Sequence, residues 1–370
     1  MVRLGRPSMI SPASPRVLIV GGSLVGLASA IALARRGATV TVLERAGDLT
    51  RTLGGGLGVD VDLLQQVTGL EDEPPVYWGI DRATSAWALL TEWLNEQART
   101  HEHIDIRRRT VVTKLGDGWA LTTAGDHFDA DLIIGADGAR STVRRWVAPT
   151  HPEPAYAGYV LWRTMVDEDR LPEAILPPPC EPSRELYSGA YRLVTYLVPG
   201  ATGCTRRGSR RLNIVWYDPA RAALLAQTGL LEGSRVLGTL DSADVPAPLR
   251  DELRAIAEAY WPSPWREALQ LALRDSAVFA TPVVEYMPET LVRGRALLAG
   301  DAAHAATPMV GGGFRQGLHD VMALINAWDR DTLPEVVACY EKARLLPART
   351  HVRRSMSASA EYLARAAPAS

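Results

Sequence analysis

A short stretch of the chain combines a carboxylate, a proline and three consecutive glycines. It reads ALLAGDAAHAATPMVGGGF, from Ala296 to Phe314. The apolar run at its start predicts a buried strand that delivers Asp301, just after Gly300, onto a turn, where its carboxylate can bind the hydroxyls of a polyol. Pro308 stiffens the chain, and Gly311–Gly313 present bare backbone amides at the start of a long helix, where such amides stabilise an anion.

A flavin needs this combination of groups. Its ribityl chain requires a polar partner, and its reduced ring carries negative charge that helix N-terminal amides stabilise. A glycine loop with only a structural role is the alternative, but it does not account for a G-D pair, a proline and three glycines at these offsets. His304 lies close to Asp301 and is the histidine to test as a general base. A structural hydrogen bond at the helix start is its alternative role.

A second glycine-rich turn lies near the start of the chain, in VLIVGGSLVGL. In a G-x-G-x-x-G turn the first glycine makes the tight turn and the third lets helix pack on strand. Gly21 and Gly26 keep these roles, while Ser23 replaces the middle glycine and Gly22 adds backbone freedom. A diphosphate can still bind at the helix N-terminus. The turn alone does not distinguish FAD from NAD, and a purely structural turn is the alternative.

Glu44 ends the second strand, about 20 residues after this turn, where a carboxylate accepts hydrogen bonds from a ribose and repels a 2′-phosphate. Arg45 follows it and belongs to the same predicted cofactor contacts. In IIGADGARSTVRRW, Asp137 and Gly138 form a turn after another strand. Such a turn is common in proteins, so by itself it is a weak indication of a cofactor site.

The elements that must position these residues follow from the sequence pattern. A strand, a helix and a strand in the first part predict a βαβ unit, and β-branched and aromatic runs after about residue 149 predict antiparallel sheet. The predicted strands are 17–20, 39–43, 132–134 and 296–299, and the predicted helices are 24–36, 84–98, 248–260, 317–328 and 334–346. We therefore expect an α/β fold, with a Rossmann-like FAD-binding domain interrupted by an antiparallel β-sheet substrate domain and followed by C-terminal helices.

The expected boundaries divide the chain into five parts. They are a disordered leader at 1–14, the first part of the FAD-binding domain at 15–150, the sheet domain at 151–285, the second part of the FAD-binding domain at 286–330 and a helical segment at 331–370.

Composition excludes several classes of protein. The chain has 370 residues and a net charge of −2, which provides no field for a nucleic-acid backbone. Cys180, Cys204 and Cys339 are scattered, which argues against disulfides and a zinc site and favours a reducing cytosol. The segment 17–34 is apolar enough to mimic a membrane span, but its glycine turn favours a protein without a membrane anchor. No metal site is expected, and the oligomeric state is left open.

Taken together, the three glycine and aspartate motifs resemble those of the class A, single-component flavoprotein monooxygenases, the aromatic hydroxylase family. They occur in the family's order and on the expected elements. YAGYVLWR and RLNIVWYD further resemble the sheet domain of members that are similar to 2,6-dihydroxypyridine hydroxylase. The serine at position 23 also occurs in that subgroup.

The resemblance implies that Gly21, Ser23, Gly26 and Glu44 hold the ADP half of FAD. Asp137 would contact the pyrophosphate side, Asp301 the ribityl chain, and Pro308 with Gly311–Gly313 the ring. Pro308 therefore joins His304 among the candidate catalytic residues. Phe314 and Arg315 stand where the family often has an asparagine, and the segment from Gly58 to Arg82 is short for the subgroup.

The implied reaction is oxygen transfer. NADH or NADPH would bind transiently and reduce FAD, and O2 would react at the flavin C4a to form a hydroperoxide that hydroxylates or epoxidises an electron-rich aromatic or polyene molecule. Two alternatives are an FAD-binding reductase-like descendant that does not hydroxylate and an NAD-dependent dehydrogenase. The expected substrate face comprises Tyr159, Trp162, Arg163, Tyr196 and Trp216, although alternation along a strand points about half of such residues away.

Overall fold

The structure is a computed structural model, and it describes residues 14–47, 55–79, 82–171, 184–219, 221–275, 277–328 and 332–366. The predicted leader at 1–14 lies outside the described residues except for Ser14, and Cys180 lies outside them as well.

The first part of the chain alternates strands and helices before a small antiparallel region. It contains β1 (Arg16–Val20), α1 (Leu24–Ala34), β2 (Thr39–Leu43), β3 (Gly56–Val59), α2 (Val61–Thr68), β4 (Tyr77–Trp78), β5 (Ala83–Ala86), α3 (Trp87–Arg99), β6 (Ile104–Arg107), β7 (Val112–Gly116), β8 (Trp119–Thr122), β9 (His127–Asp129), β10 (Leu132–Gly135) and α4 (Thr142–Val147).

The middle part is mostly antiparallel strand. It contains β11 (Ala155–Asp167), β12 (Arg184–Ser188), β13 (Tyr191–Val198), β14 (Arg211–Pro219), α5 (Ala222–Gln227), β15 (Leu231–Glu232), β16 (Arg235–Val236), α6 (Ala247–Tyr260), α7 (Trp265–Arg274) and β17 (Phe279–Glu285). The last part contains β18 (Val292–Arg293), β19 (Ala296–Leu298), α8 (Asp301–His304), a 3₁₀ turn at Pro308–Val310, α9 (Gly313–Ala327) and α10 (Leu333–Ala366).

A six-stranded sheet joins the first and last parts in the order β18-β19-β10-β1-β2-β6. The five strands from β19 to β6 are parallel, and β18 is antiparallel. Val20 pairs with Gly135, which in turn pairs with Leu298. The carboxyl ends of β1, β10 and β19 therefore meet at one edge, the place where open α/β sheets bind ligands. This edge brings the two glycine-rich stretches together.

The second sheet has the order β12-β13-β14-β11-β17 and is antiparallel. One face packs against α6 and α7 through a buried apolar cluster that includes Val160, Leu253 and Leu269. The opposite face carries a smaller cluster with Leu161, Val215 and Tyr362 of α10. The expected fold, a Rossmann-like domain with an inserted antiparallel sheet and C-terminal helices, is confirmed. Within the described ranges, no helix has both the length and the apolar character that crossing a bilayer requires.

Three predicted helix boundaries are wrong. Residues 83–86 pair as β5, so α3 begins at Trp87 instead of residue 84. Helix α9 begins at Gly313 instead of residue 317, which makes the glycines part of its N-terminus. Helix α10 continues through Pro347 to Ala366 instead of ending at 346. A proline removes one helical hydrogen bond, but tertiary contacts of buried residues on both sides of it hold α10 in place.

Candidate functional site

The turn after β1 can be made only with glycine at two positions. Gly21 has φ +107°, and a Cβ there would lie 2.3 Å from the carbonyl oxygen of Ala136. A Cβ on Gly26 would lie 1.9 Å from the carbonyl oxygen of Gly21. The first glycine therefore allows the turn to pass the end of β10, and the second allows α1 to pack directly on the turn.

Ser23 is the residue that precedes the first turn of α1. Its backbone is extended (φ −96°) and its hydroxyl makes no capping hydrogen bond to the helix. The hydroxyl is therefore free to donate to an anion at the helix N-terminus, where the helix dipole favours negative charge. The serine does not disturb the turn, because the two positions that exclude a Cβ are both glycines.

Glu44 is buried at the end of β2, and its carboxylate is held by two backbone amides. Oε2 accepts from Gly22 N at 2.7 Å and Oε1 accepts from Ala46 N at 2.7 Å. Each oxygen keeps a second lone pair for a hydroxyl donor. Arg45 is exposed beside it. Burial lowers the pKa of Arg140, and the nearby charge of Arg45 lowers it further.

Asp137 has a different set of partners from those expected. Its carboxylate accepts from Thr142 N at 2.7 Å, from Val143 N at 3.2 Å and from the Ser141 hydroxyl. These bonds anchor the start of α4, while burial raises the pKa of this carboxyl. Gly138 has φ +77° and completes the turn. The geometry gives Asp137 a role in shaping the turn, and contact with a pyrophosphate remains a prediction.

Asp301 opens α8 at the same sheet edge as Gly21. A Cβ on Gly300 would lie 3.1 Å from Val25 Cγ2, and a Cβ on Gly317 would lie 2.4 Å from the same atom. The loop before α8 and the helix α9 therefore both lie against the first turn of α1. This contact places residue 301 beside the crevice at Gly21.

The carboxylate of Asp301 is open to solvent and, among the described residues, accepts no hydrogen bond and forms no ion pair. The protein around it in the crevice partly desolvates this carboxyl and so raises its pKa, against the opposing charges of His304, Arg144 and Arg163. A carboxylate in a crevice, without a partner among the described residues, can accept hydrogen bonds from the hydroxyls of a ligand.

Gly311–Gly313, at the N-terminus of α9, are exposed. Gly311 and Gly312 have φ +63° and +72°, so their backbone conformation favours glycine. Gly313 has an ordinary φ, and a Cβ there would meet no protein atom within 4 Å. The packing of the described residues therefore does not explain this glycine, and its contact with a bound ring remains a prediction.

His304 belongs to a buried cluster of charges. Its Nε2 lies 2.7 Å from Asp320 Oδ2, and Arg344 Nε donates to Asp320 Oδ1 at 2.6 Å. Gly300 N donates to Asp320 Oδ2 at 2.8 Å, which ties the cluster to the loop that carries Asp301. Burial opposes a charge on His304, but Asp320 overcomes this and raises the pKa of the imidazole.

This cluster favours the structural alternative for His304. The side chain is 1% exposed, and its Nε2 is already bonded to Asp320. Sequence reasoning missed Asp320 and Arg344. The position of Asp320 on the buried face of α9, after the glycines, was the available signal. The catalytic role of His304 and of the exposed Pro308 remains a prediction.

The two tryptophans predicted to form the substrate face do not lie on it. Trp162 and Trp216 are each 1% exposed and lie in the cluster between the sheet and the helices α6 and α7. Trp162 Nε1 donates to Asp218 at 2.8 Å, and the Trp216 ring packs edge-to-face on Trp261. Strand alternation puts both on the face that packs against helices, so they are core residues.

Tyr159 is on the other face, but it is fully buried. Its hydroxyl bonds to Thr307 Oγ1 at 2.5 Å and to Ser359 Oγ at 3.0 Å, and its ring packs on Tyr362 of α10. Tyr159 therefore links the sheet to the loop before Pro308 and to α10. This hydrogen-bonding arrangement corrects its expected place on a substrate face.

Arg163 and Tyr196 share this second face and are only partly buried. Asn213 shares it with them and was missed, because nothing local in RLNIVWYD distinguishes it. Its Oδ1 accepts from Gly56 N at 2.7 Å. These three residues are the polar groups that face the beginning of β3 across the crevice.

A metal centre is not apparent in the described ranges, which contain no group of three or more His, Cys, Asp or Glu side chains suited to an ion. The groups present suit an organic cofactor better: a carboxylate at each end of the crevice, a helix N-terminus with a free serine hydroxyl, and a glycine beside open space. They are the kinds of group that the ribose, diphosphate, ribityl and ring portions of FAD would need.

Family models match most of the chain. The model described as "NAD(P)-binding Rossmann-like domain" matches residues 19–92, "FAD binding domain-like" matches 156–274, and "FAD binding domain" matches 274–355. The matches extend through the crevice and the sheet, and they include Gly21, Arg163 and Asp301.

Curated relatives and solved structures agree with these matches. The chain is 28% identical to hispidin-3-hydroxylase of Neonothopanus nambi, over 89% of this chain and 84% of that protein. It is 26% identical to 2,6-dihydroxypyridine 3-monooxygenase of Paenarthrobacter nicotinovorans, over 87% and 85%. The structure of 2,6-dihydroxypyridine-3-hydroxylase from Arthrobacter nicotinovorans superposes with a TM-score of 0.80 at 22% identity, covering 95% of this chain and 93% of that one.

Proposed function

Because the chain is a class A FAD-dependent monooxygenase of the aromatic hydroxylase type, we propose that it uses NAD(P)H and O2 to hydroxylate an electron-rich aromatic small molecule. Epoxidation of a polyene is the same type of oxygen transfer. The observation that carries this proposal is the position of Asp301 beside the Gly21 turn, where its carboxylate has no partner among the described residues.

The cofactor would lie along the crevice between these two groups. Glu44 would bind the adenosine ribose, the start of α1 with Ser23 the diphosphate, and Asp301 the ribityl chain. When bound, FAD supplies electron transfer from NAD(P)H and activation of O2. The amides at the start of α9 would stabilise negative charge on the ring, and the sheet would exclude water from the reacting carbon.

The substrate class follows from the relatives and from the crevice. One relative acts, by its name, on 2,6-dihydroxypyridine, an aromatic ring with two hydroxyl groups. A hydroxyl group makes a ring electron-rich, which oxygen transfer requires. Arg163 and Tyr196, on the sheet face that borders the crevice, would position such a ring. His304 would position the cofactor loop through Asp320.

The proposal extends to the electron donor of the reaction and to the cellular compartment in which the protein acts. One dinucleotide-type turn is present, so NADH or NADPH would bind transiently and leave after reduction. The scattered cysteines, of which Cys204 and Cys339 are free, support action in a reducing cytosol.

The experiment compares Asp301→Ala with a matched control, Asp251→Ala, whose exposed carboxylate makes only a 3.8 Å contact with Arg254. The wild type and the control should purify yellow or turn yellow with FAD. Asp301→Ala should bind FAD at least about 10-fold more weakly, because hydrogen bonds to a charged group contribute about 1.5–3 kcal/mol. Equal retention of FAD by Asp301→Ala would contradict the placement of the cofactor.

Activity is measured separately on the FAD-loaded wild type with a panel of hydroxylated aromatic acids and heterocycles. NAD(P)H consumption with a product heavier by one oxygen atom is the expected result. NAD(P)H oxidation that yields only hydrogen peroxide across the panel would instead support a reductase-like protein that does not hydroxylate. A protein that stays colourless after FAD addition would support a dehydrogenase.

A further inference from the structure

Three side chains on the crevice side of the sheet each have a hydrogen-bond donor atom without a partner in the described part of the chain. Arg163 Nε and Asn213 Nδ2 are both buried and unpaired. Arg163 forms no ion pair with any described residue, and Tyr196 Oη makes no hydrogen bond to one. Buried donors in folded proteins are usually paired, so Arg163 Nε and Asn213 Nδ2 are available to a partner from outside the described residues.

The three groups lie close together. Arg163 on β11 is opposite Val215 on β14, and Asn213 is two residues before Val215 on the same face. Asn213 is directly opposite Tyr196 on β13. A Cβ on Gly55 would lie 3.3 Å from Arg163 Nη1, and one on Gly56 would lie 2.7 Å from Tyr196 Cε2 and 2.9 Å from Asn213 Cγ. The backbone at Gly55 and Gly56 therefore packs closely against all three side chains.

The charges around this cluster are mostly positive. Arg82 lies 5.9 Å from the centre of the Tyr196 ring. Burial raises the pKa of Asp301, which the proposed function assigns to the cofactor, and the positive charge of Arg163 is among the charges that oppose this shift. Asn213 Oδ1 is already used by Gly56 N, so the cluster offers the ligand donors and a positive charge. Such a cluster selects a ligand group that is negatively charged and only accepts hydrogen bonds.

We propose that Arg163, Asn213 and Tyr196 form a subsite for an ionised oxygen of the substrate, a phenolate or a carboxylate on the ring. This inference rests on the proposed function, and it adds that the enzyme discriminates an anionic aromatic molecule from its neutral counterpart. The planar guanidinium of Arg163 provides two parallel donors, which suit a carboxylate better than a lysine would.

The experiment is titration calorimetry on FAD-loaded protein with benzoate and with benzamide, which has nearly the same shape without the charge. Wild type should bind benzoate at least about 10-fold more tightly than benzamide. Arg163→Gln should lose this preference, and Arg163→Lys should retain only part of it. Arg235→Gln, which removes an exposed arginine paired with Glu153, should behave as wild type. The flavin absorption spectrum of each variant shows whether it is folded.

A second pair of titrations with 4-nitrophenol, above and below the pKa of the free phenol, separates the two anions. A preference for the ionised form that disappears in Arg163→Gln assigns the subsite to a phenolate, and a benzoate preference assigns it to a carboxylate. The inference is overturned if wild type shows neither preference, or if Arg163→Gln keeps it. Because binding is measured without turnover, loss of oxygen insertion with an intact preference would contradict the proposed function and leave the subsite standing.

Discussion

At the scale of single residues, Gly313 differs from the other glycines of the site because the packing of the protein does not require a glycine there. Gly21 and Gly26 are required by the polypeptide itself, because a Cβ at either position would overlap backbone atoms. Gly313 has no such neighbour, and its backbone conformation suits any residue. We propose that a side chain is absent there because a ligand approaches the start of α9.

We therefore expect Gly313→Ala to leave the free energy of unfolding of the cofactor-free protein unchanged or raised by up to about 1 kcal/mol, since alanine favours a helix. FAD affinity should fall about 10-fold, because the methyl group would occupy ligand space. Chemical denaturation and FAD titration measure the two quantities.

The matched comparison is Gly26→Ala, which should fold poorly because its Cβ would lie 1.9 Å from a carbonyl oxygen. If Gly313→Ala binds FAD as tightly as wild type, the ring does not lie where we place it.

The residues found from the sequence are those that belong to local patterns. Gly21, Glu44 and Asp301 each follow a recognisable strand, so the sequence alone predicts their place at the sheet edge, while their contacts with a cofactor stay predictions. Asp320 and Asn213 could not be assigned in this way, because their roles depend on partners from distant parts of the chain. The Asn213 side chain accepts from Gly56, which is 157 residues away in sequence.

At the scale of elements, α8 and α10 bring into contact two histidines whose pKa values shift in opposite directions. The rings of His304 and His351 lie 6.0 Å apart, edge to face. The pKa of His304 is raised because Asp320 overcomes the effect of burial. The pKa of His351 falls to about 4, through burial and then through the positive charge of His304.

These shifts give the free energy of unfolding a defined pH dependence. Between about pH 6.5 and 4 the unfolded chain binds a proton at His351 that the folded protein does not. The free energy of unfolding therefore decreases as the pH is lowered through this window. His304 acts in the opposite direction, and its contribution is lost as pH rises through its folded pKa. From pH 8 to pH 5, wild type should lose about 1 kcal/mol more than His351→Gln after solvent screening.

Urea unfolding of the cofactor-free protein at both pH values measures this difference. His127→Gln, at an exposed position of β9, is the control and should follow wild type. Parallel pH profiles for wild type and His351→Gln would show that His351 does not titrate as described.

The elements themselves were largely predictable. The strands around the Gly21 and Asp301 turns were found because apolar runs and glycines mark them. The sequence could not say which face of the antiparallel sheet borders the crevice, since both faces are rich in aromatic residues. Trp162 and Trp216 were therefore assigned to the substrate, whereas α6 and α7 cover them. Similarly, the helix predicted to end at residue 346 continues through Pro347, because packing of α10 overrides the effect of the proline.

At the scale of the whole molecule, one buried network joins the sheet, the cofactor loop and α10. The Tyr159 hydroxyl contacts Thr307 and Ser359, and Glu285 of β17 accepts from Ser359 at 2.9 Å. Ser355, which also donates to Glu285, accepts from Thr307 N at 2.6 Å. The loop that precedes Pro308 is therefore fixed from two sides.

Tyr159→Phe should lower the free energy of unfolding by about 1–3 kcal/mol, because it leaves buried hydroxyl groups without one of their partners. It should also weaken FAD binding, since the Thr307 loop loses its contact with the sheet. Denaturation and FAD titration test both effects.

Tyr217→Phe is the matched control, since Tyr217 lies in the same cluster and its hydroxyl bonds to no described residue. If both variants lose stability equally and Tyr159→Phe keeps its FAD affinity, the network does not support the cofactor loop.

Helix α10 has a consequence for biosynthesis. It comes after every element that it joins: Tyr340 donates to the carbonyl of Leu298, Arg344 pairs with Asp320, and Ser359 reaches Tyr159. A nascent polypeptide emerging from the ribosome can form the Gly21 turn early, but it must wait for this last helix before the Asp301 loop is secured. We therefore expect loading with coenzyme to be a late event, completed only after translation has passed the residues of α10 that hold this loop.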